Sequence, residues 1–185
     1  MDNLIEKVLA EITTCLHLVV GESIAQAEAL IDDASHIFVS GSGRSGLIMR
    51  ALGARLMHLG KIVHVVGEST TPSIHAGELL VIGSGSGQTP TQLAIAQKAR
   101  SQGANILLFT TNPVSPIANL AEHCVLIPAP SRQEANARQD LTSIQPMGTL
   151  FEQSLLILCD ILILSLMLRT GVSAAQMHLR HANLE

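Results

Sequence analysis

Twice in this chain an apolar run of strand length ends in a turn of glycines and hydroxyl residues, and a helical segment leaves the turn. The first turn, Gly41-Ser42-Gly43-Arg44-Ser45-Gly46, follows the strand-like run 36–40 and opens a predicted helix over 45–59. The second, Gly83-Ser84-Gly85-Ser86-Gly87-Gln88-Thr89, lies between a strand-like run over 79–83 and a predicted helix over 89–102. Glycine gives such a turn access to positive φ and lets a ligand approach the main chain. The departing helix points unpaired N–H groups and its positive dipole end at the same place. Ser84, Ser86 and Thr89 add hydroxyl donors. The result is a cradle for an anion, and phosphate suits it. Either turn alone is also satisfied by an ordinary Gly/Ser bend with Thr89 as a helix cap. Two turns of one design favour a shared ligand.

The first turn also spells Gly-x-Gly-x-x-Gly, the dinucleotide-binding pattern. That reading needs an acidic residue at the end of the next strand to hold a ribose hydroxyl. Glu68 stands there, so the alternative is live. Against it, Arg44 and Ser45 fill the turn with polar groups. A small phosphorylated ligand fits two Ser-rich turns better.

Strand-like and helical runs alternate along most of the chain. Apolar residues from Leu4 to Val20 recur at helical spacing, and a second helix is predicted over 21–32. Further strands are predicted at 62–66, 105–110 and 124–127, with an irregular turn over 67–77 and a short helix near 116–121. Such alternation predicts an α/β fold, a five-stranded parallel sheet with helices on both faces. The segment 128–146 is polar, lacks periodicity and holds Arg132 and Arg138, consistent with a solvated loop or a binding loop. A long apolar helix is predicted over 148–169, then a short one over 173–179 and a tail over 180–185. The 185 residues read as a single domain, 1–185, with a helical preface over 1–33.

Composition narrows the function. A net charge of −4 with 11 scattered basic residues gives no basic stripe, so nucleic acid is not an expected partner. Trp and Tyr are absent, which removes stacking platforms for single strands. Cys15, Cys124 and Cys159 are isolated in apolar stretches and read as free thiols in a reducing, cytoplasmic setting. The acid-bearing start of the chain does not look like a signal peptide. The run 154–168 is apolar but short for a membrane span and contains Asp160, so a buried helix and no membrane are expected. A mean hydropathy of +0.38 suggests apolar surface shared between subunits.

Several segments together resemble a known family. The Ser84–Thr89 run has the SxSGxT pattern of the sugar isomerase (SIS) domain. GSGRSG at 41–46, RLMHLG at 55–60, VGESTTPSI at 66–74, PMGTLFEQ at 146–153 and RHANLE at 180–185 resemble the 6-phospho-3-hexuloisomerase family, in order over nearly the whole chain. The resemblance implies a three-layer α/β/α sandwich of flavodoxin-like SIS topology, with N-terminal helices and a long C-terminal helix. It implies a phosphorylated ketohexose substrate, a cytoplasmic homo-oligomer, a tetramer in the family, and no cofactor or metal. Whether the reaction serves formaldehyde metabolism through the ribulose monophosphate pathway or pentose supply stays open.

The implied reaction interconverts D-arabino-hex-3-ulose 6-phosphate and D-fructose 6-phosphate through a cis-enediol. It needs a base held over adjacent carbons, an acid near the carbonyl oxygens and a phosphate anchor. The resemblance places the base at Glu152, although Thr149 and Glu152 also have capping-box spacing. It places the acid or proton shuttle at His181, in the 171–185 tail that reaches an active site, its own or a neighbour's. The anchor falls to Ser45, Ser84, Gly85, Ser86, Gly87, Gln88 and Thr89. Arg44 assists or pairs with an acid, and Thr70, Thr71 and Ser73 are turn residues or sugar contacts. Two other readings remain: an aldose–ketose isomerase of another sugar phosphate, and a sugar-phosphate sensor without catalysis.

Overall fold

In the computed structural model, which describes residues 2–130 and 142–184, the predicted alternation is present. Two helices open the chain, α1 (Asp2–His17) and α2 (Gly21–Asp33). Then come β1 (Ile37–Gly41), α3 (Gly43–Leu59), β2 (Val63–Val65), β3 (Leu79–Gly83), α4 (Pro90–Ser101), β4 (Asn105–Thr110) and β5 (His123–Leu126). The chain closes with α5 (Thr149–Thr170) and α6 (Ala174–His178). The short helix expected near 116–121 is a single 3-10 turn over Ala118–Leu120. Arg132 and Arg138 lie outside the described residues.

The five strands are parallel, in the order β2-β1-β3-β4-β5. Side chains alternate across the sheet. Ile37, Val39, Leu79, Val81, Leu107 and Phe109 face the layer of α1, α2, α3 and α5. Phe38, Leu80, Ile82, Ile106 and Leu108 face the other layer, where Ala96 and Ala99 of α4 pack closely. Both faces are covered, which is why the strands read as continuous apolar runs.

Helix α5 is long and apolar enough to cross a membrane, with 22 residues and a mean hydropathy of 2.0. Here it packs against α3 and α1, and Phe151, Leu155, Leu158, Leu162 and Leu166 are buried. Its opposite side leaves Ile157, Ile161, Leu164 and Leu168 exposed at coiled-coil spacing.

The order of strands fixes where a ligand can bind. The connection leaving β1 runs through α3 to β2 on one side, and the one leaving β3 runs through α4 to β4 on the other. The two connections diverge from neighbouring strands, so a crevice opens at their carboxyl ends. Gly41 and Gly83, the last residues of β1 and β3, are partners in register. Both glycine turns therefore begin side by side.

Candidate active site

Each turn is closed by a contact that a side chain on glycine would block. Gly41 and Gly46 approach so closely that a Cβ on Gly46 would meet the Gly41 carbonyl oxygen at 2.5 Å. Gly87 has φ +62°, and a Cβ there would run into Ser115 Oγ. Gly85 leaves room for the ring of Phe151, 3.2 Å from where a Cβ would stand. That last contact seats the first turn of α5 against the second turn.

Three helix N-termini meet here. Ser42 Oγ lies 3.3 Å from Thr91 Oγ1, joining the start of α3 to the start of α4. Arg44, on the first turn of α3, donates Nε–H to Glu152 Oε2 on the first turn of α5. The converging dipoles make this crevice attractive to an anion. Thr89 is the N-cap of α4, but its hydroxyl makes no capping bond, and Pro90 contributes no N–H. Ser84 Oγ is buried and has no hydrogen-bond partner among the described residues. Ser86 Oγ accepts the Gln88 N–H at 3.3 Å. Ser45 is half-buried in the first turn of α3. Ser45, Ser84, Gly85, Ser86, Gly87, Gln88 and Thr89 thus belong to two adjoining turns, with Glu152 beside them.

The capping box considered for α5 does not form. Gly148 is the N-cap, and Thr149 Oγ1 donates instead to the Pro146 carbonyl at 2.6 Å. Glu152 is left with Arg44. Just before the helix, Met147 has φ 58°, the single non-glycine residue with positive φ among those described. Such a conformation costs about 1–2 kcal/mol, and it turns the chain into α5.

Other expectations resolve differently. Thr71 Oγ1 donates to the Val65 carbonyl at 2.5 Å, an ordinary turn bond, while Thr70 and Ser73 are exposed. Strand β2 ends at Val65, so Glu68 stands beyond it and pairs with Arg50 of α3. The acid required by the dinucleotide reading is therefore engaged elsewhere.

His181 lies away from this crevice within its own chain. Its ring stacks on His58 near the C-terminal end of α3, with centroids 5.2 Å apart and planes at 17°. Arg180 Nη1 donates to the His58 carbonyl at 3.1 Å and holds the tail there. Arg44 and His58 are separated by about 21 Å of helical rise, so Glu152 and His181 do not meet in one subunit. His181 instead lines a cavity of ≈ 400 Å³ with Arg55, His58, Asp160, Met167 and His178. Burial, with the nearby His181 and Arg55, pushes the His58 imidazole below its usual value. Among the described residues, no group of three or more His, Cys, Asp or Glu side chains comes together as metal ligands would.

Two residues that build the site escaped the sequence reading. Gln92, 4% exposed, ties the turns together. Ser40 Oγ donates to its Oε1 at 2.8 Å, and its Nε2 donates to Ser42 Oγ at 3.2 Å. The available signal was register, because Gln92 shares the buried stripe of α4 with Ala96 and Ala99. Glu11 of α1 holds the approach to α5. It accepts from Ser143 Oγ at 2.7 Å, the Ile144 N–H at 2.8 Å and Gln145 Nε2 at 3.0 Å. No local pattern marks a partner more than a hundred residues away.

Burial pushes the Glu11 carboxyl up, but hydrogen bonds from Ile144, Gln145 and Ser143 outweigh it and leave the group below its usual value. A carboxyl depressed on folding contributes stability above the unfolded pKa, about 4.3, and loses it as pH falls through the folded value. Glu11→Gln is therefore expected to lower the melting temperature by roughly 2–4 °C at neutral pH. The gap to wild type should close as pH falls below about 4.3. Melting curves across that range check it, and a gap independent of pH would show that the charge of Glu11 contributes nothing.

Comparison with known proteins agrees with the geometry. The family model of the SIS domain matches residues 30–157. A protein of Mycobacterium gastri named 3-hexulose-6-phosphate isomerase is 44% identical over 164 residues, 89% of this chain and 81% of the relative. One of the same name from Bacillus subtilis is 38% identical over 181 residues, 98% of this chain and 97% of the relative. A crystal structure of a hypothetical protein from Methanococcus jannaschii superposes with a TM-score of 0.84 at 30% identity, covering 100% of both chains. Its authors inferred a molecular function of 3-hexulose-6-phosphate isomerase for it.

Proposed function

The chain belongs to the SIS domain family, and from that premise we infer that it is a 3-hexulose-6-phosphate isomerase. It interconverts D-arabino-hex-3-ulose 6-phosphate and D-fructose 6-phosphate. The observation that carries the reading is the half-buried Glu152 carboxylate on the rim of two hydroxyl-rich turns at the sheet's switch point.

The turns hold the phosphate. Ser84, Ser86 and Thr89 supply hydroxyls, with Ser45 from the first turn and main-chain N–H groups around Gly85, Gly87 and Gln88. Glu152 removes the proton from C3 of the fructose phosphate, giving a cis-enediol across C2 and C3, and returns it at C2; from the 3-ketose it takes the C2 proton and returns it at C3. The carbonyl at C2 forms as the one at C3 is lost, or the reverse, so the electrons balance within the substrate. A second group moves the proton between the two oxygens. His181 is suited to that task because an imidazole carries both a proton donor and a proton acceptor nitrogen.

The placement of His181 supports a tail that works in a second subunit. The exposed α5 stripe Ile157, Ile161, Leu164 and Leu168 gives a second copy an apolar face to pack on. An isologous, antiparallel pairing of two stripes carries each tail toward the start of the partner's α5. The enzyme in this reading is a cytoplasmic homo-oligomer, a tetramer as in the family.

Deuterium exchange tests the activity. Incubating the protein with D-fructose 6-phosphate in D2O should produce the 3-keto isomer, with deuterium entering at the exchanging carbon. Saturable binding without exchange would sink the isomerase reading and favour a sugar-phosphate sensor.

A further inference from the structure

We propose that Arg44 masks the catalytic base, and that the substrate's own phosphate removes the mask. The inference rests on Glu152 acting as the base. Arg44 Nε–H bonds directly to Glu152 Oε2. The two side chains are unequal partners: Glu152 is 17% exposed and Arg44 is 64% exposed. The carboxylate is largely enclosed in the wall of the crevice, and the more exposed guanidinium covers it from the solvent side. Among the described residues Arg44 has no other hydrogen-bond partner. Nothing else in the described structure anchors it.

The Oε2 lone pair donated to the guanidinium is not available to a C–H proton, so a substrate that approaches Oε2 from the solvent side requires the pair to open. A phosphate dianion is the natural agent. It carries about twice the charge of a carboxylate and offers oxygens that match the guanidinium fork. The hydroxyls and N–H groups that receive it lie in the turns flanking Arg44, since Ser42 and Ser45 bracket it in sequence and Ser42 touches Thr91 of α4. Arg44 moves from an oxygen of Glu152 to an oxygen of the phosphate, and Glu152 turns free toward the sugar carbons. The contact exchanges one ion pair for another and needs no further reactant. Phosphate thereby acts as key as well as anchor, and unphosphorylated sugars meet a covered base.

The discriminating experiment uses a sugar without phosphate. Deuterium exchange into D-fructose in D2O is followed by NMR for wild type, Arg44→Gln and Arg44→Lys, each with and without inorganic phosphate. A masked base predicts that Arg44→Gln exchanges the neutral sugar faster than wild type without phosphate. The expected gain is roughly two- to fivefold, the range that an ion pair this exposed supports. Added phosphate should accelerate wild type and Arg44→Lys but leave Arg44→Gln nearly unchanged. With D-fructose 6-phosphate, Arg44→Gln should lose mainly through a higher KM. If Arg44→Gln exchanges neutral fructose at or below the wild-type rate, the mask does not exist and Arg44 is an anchor alone. Wild type with fructose 6-phosphate is the internal control. Exchange there with no gain in Arg44→Gln overturns the mask alone, whereas no exchange there overturns the isomerase reading with it.

Discussion

Glu152→Gln is expected to lower kcat by about 10²–10⁴-fold, the usual contribution of a positioned general base. The amide has nearly the same shape but no basic lone pair on carbon-proton duty, so it can hold Arg44 and still fail to take a proton. The fold should survive. Glu152 is 17% exposed at the start of α5, and its ion pair lies on the crevice rim rather than in the core. Exposed pairs contribute about 0–1 kcal/mol, so the melting temperature should move by no more than a few degrees. KM should change little, because the hydroxyls and N–H groups of the phosphate turns belong to β1–α3 and β3–α4. Turnover and deuterium exchange on fructose 6-phosphate are the measurements. Activity within about tenfold of wild type would rule out Glu152 as the essential base.

The second large effect concerns His181. His181→Ala should lower kcat by about 10²-fold or more if the imidazole moves the proton between the oxygens. The informative experiment pairs it with the first variant. His181 stacks on His58, about 21 Å along α3 from the residue that touches Glu152, so a site built within one chain lacks it. A site built from two chains takes Glu152 from one and His181 from the other. Unfolding Glu152→Gln and His181→Ala subunits together and refolding them as a mixture should then restore activity that neither has alone. With random mixing, roughly a quarter of sites would carry both native groups. No recovery from a mixture shown to contain mixed oligomers would refute a shared site. Full activity of His181→Ala by itself would remove the histidine from the mechanism.

The strands were legible because both faces of a parallel sheet are buried, so 79–83 and 105–110 read as unbroken apolar runs. The glycine turns were legible because close approach and positive φ leave few alternatives at Gly46 and Gly87. Glu152 came from a different source: spacing suggested a capping box with Thr149, and resemblance to a family suggested the base. The structure decides against the box, because Thr149 bonds backward to Pro146 and Arg44 reaches Glu152 from another helix. Gln92 and Glu11 look like ordinary polar residues of amphipathic helices until their partners 50 or more residues away are in view. Glu68 shows the converse, since its position in the chain suits a ribose ligand and its position in space gives it to Arg50.

The sequence by itself determined the alternation of strands and helices, the two anion-seeking turns and the chemistry available in the residues around them. Those properties are local: they follow from side-chain periodicity, from backbone freedom at glycine and from the pKa of each group. Tertiary structure alone decided that both turns begin beside one another at Gly41 and Gly83, that Glu152 faces Arg44, and that His181 stands at the far end of α3. These are relations between segments distant in the chain. They depend on strand order and helix packing, which no window of sequence contains.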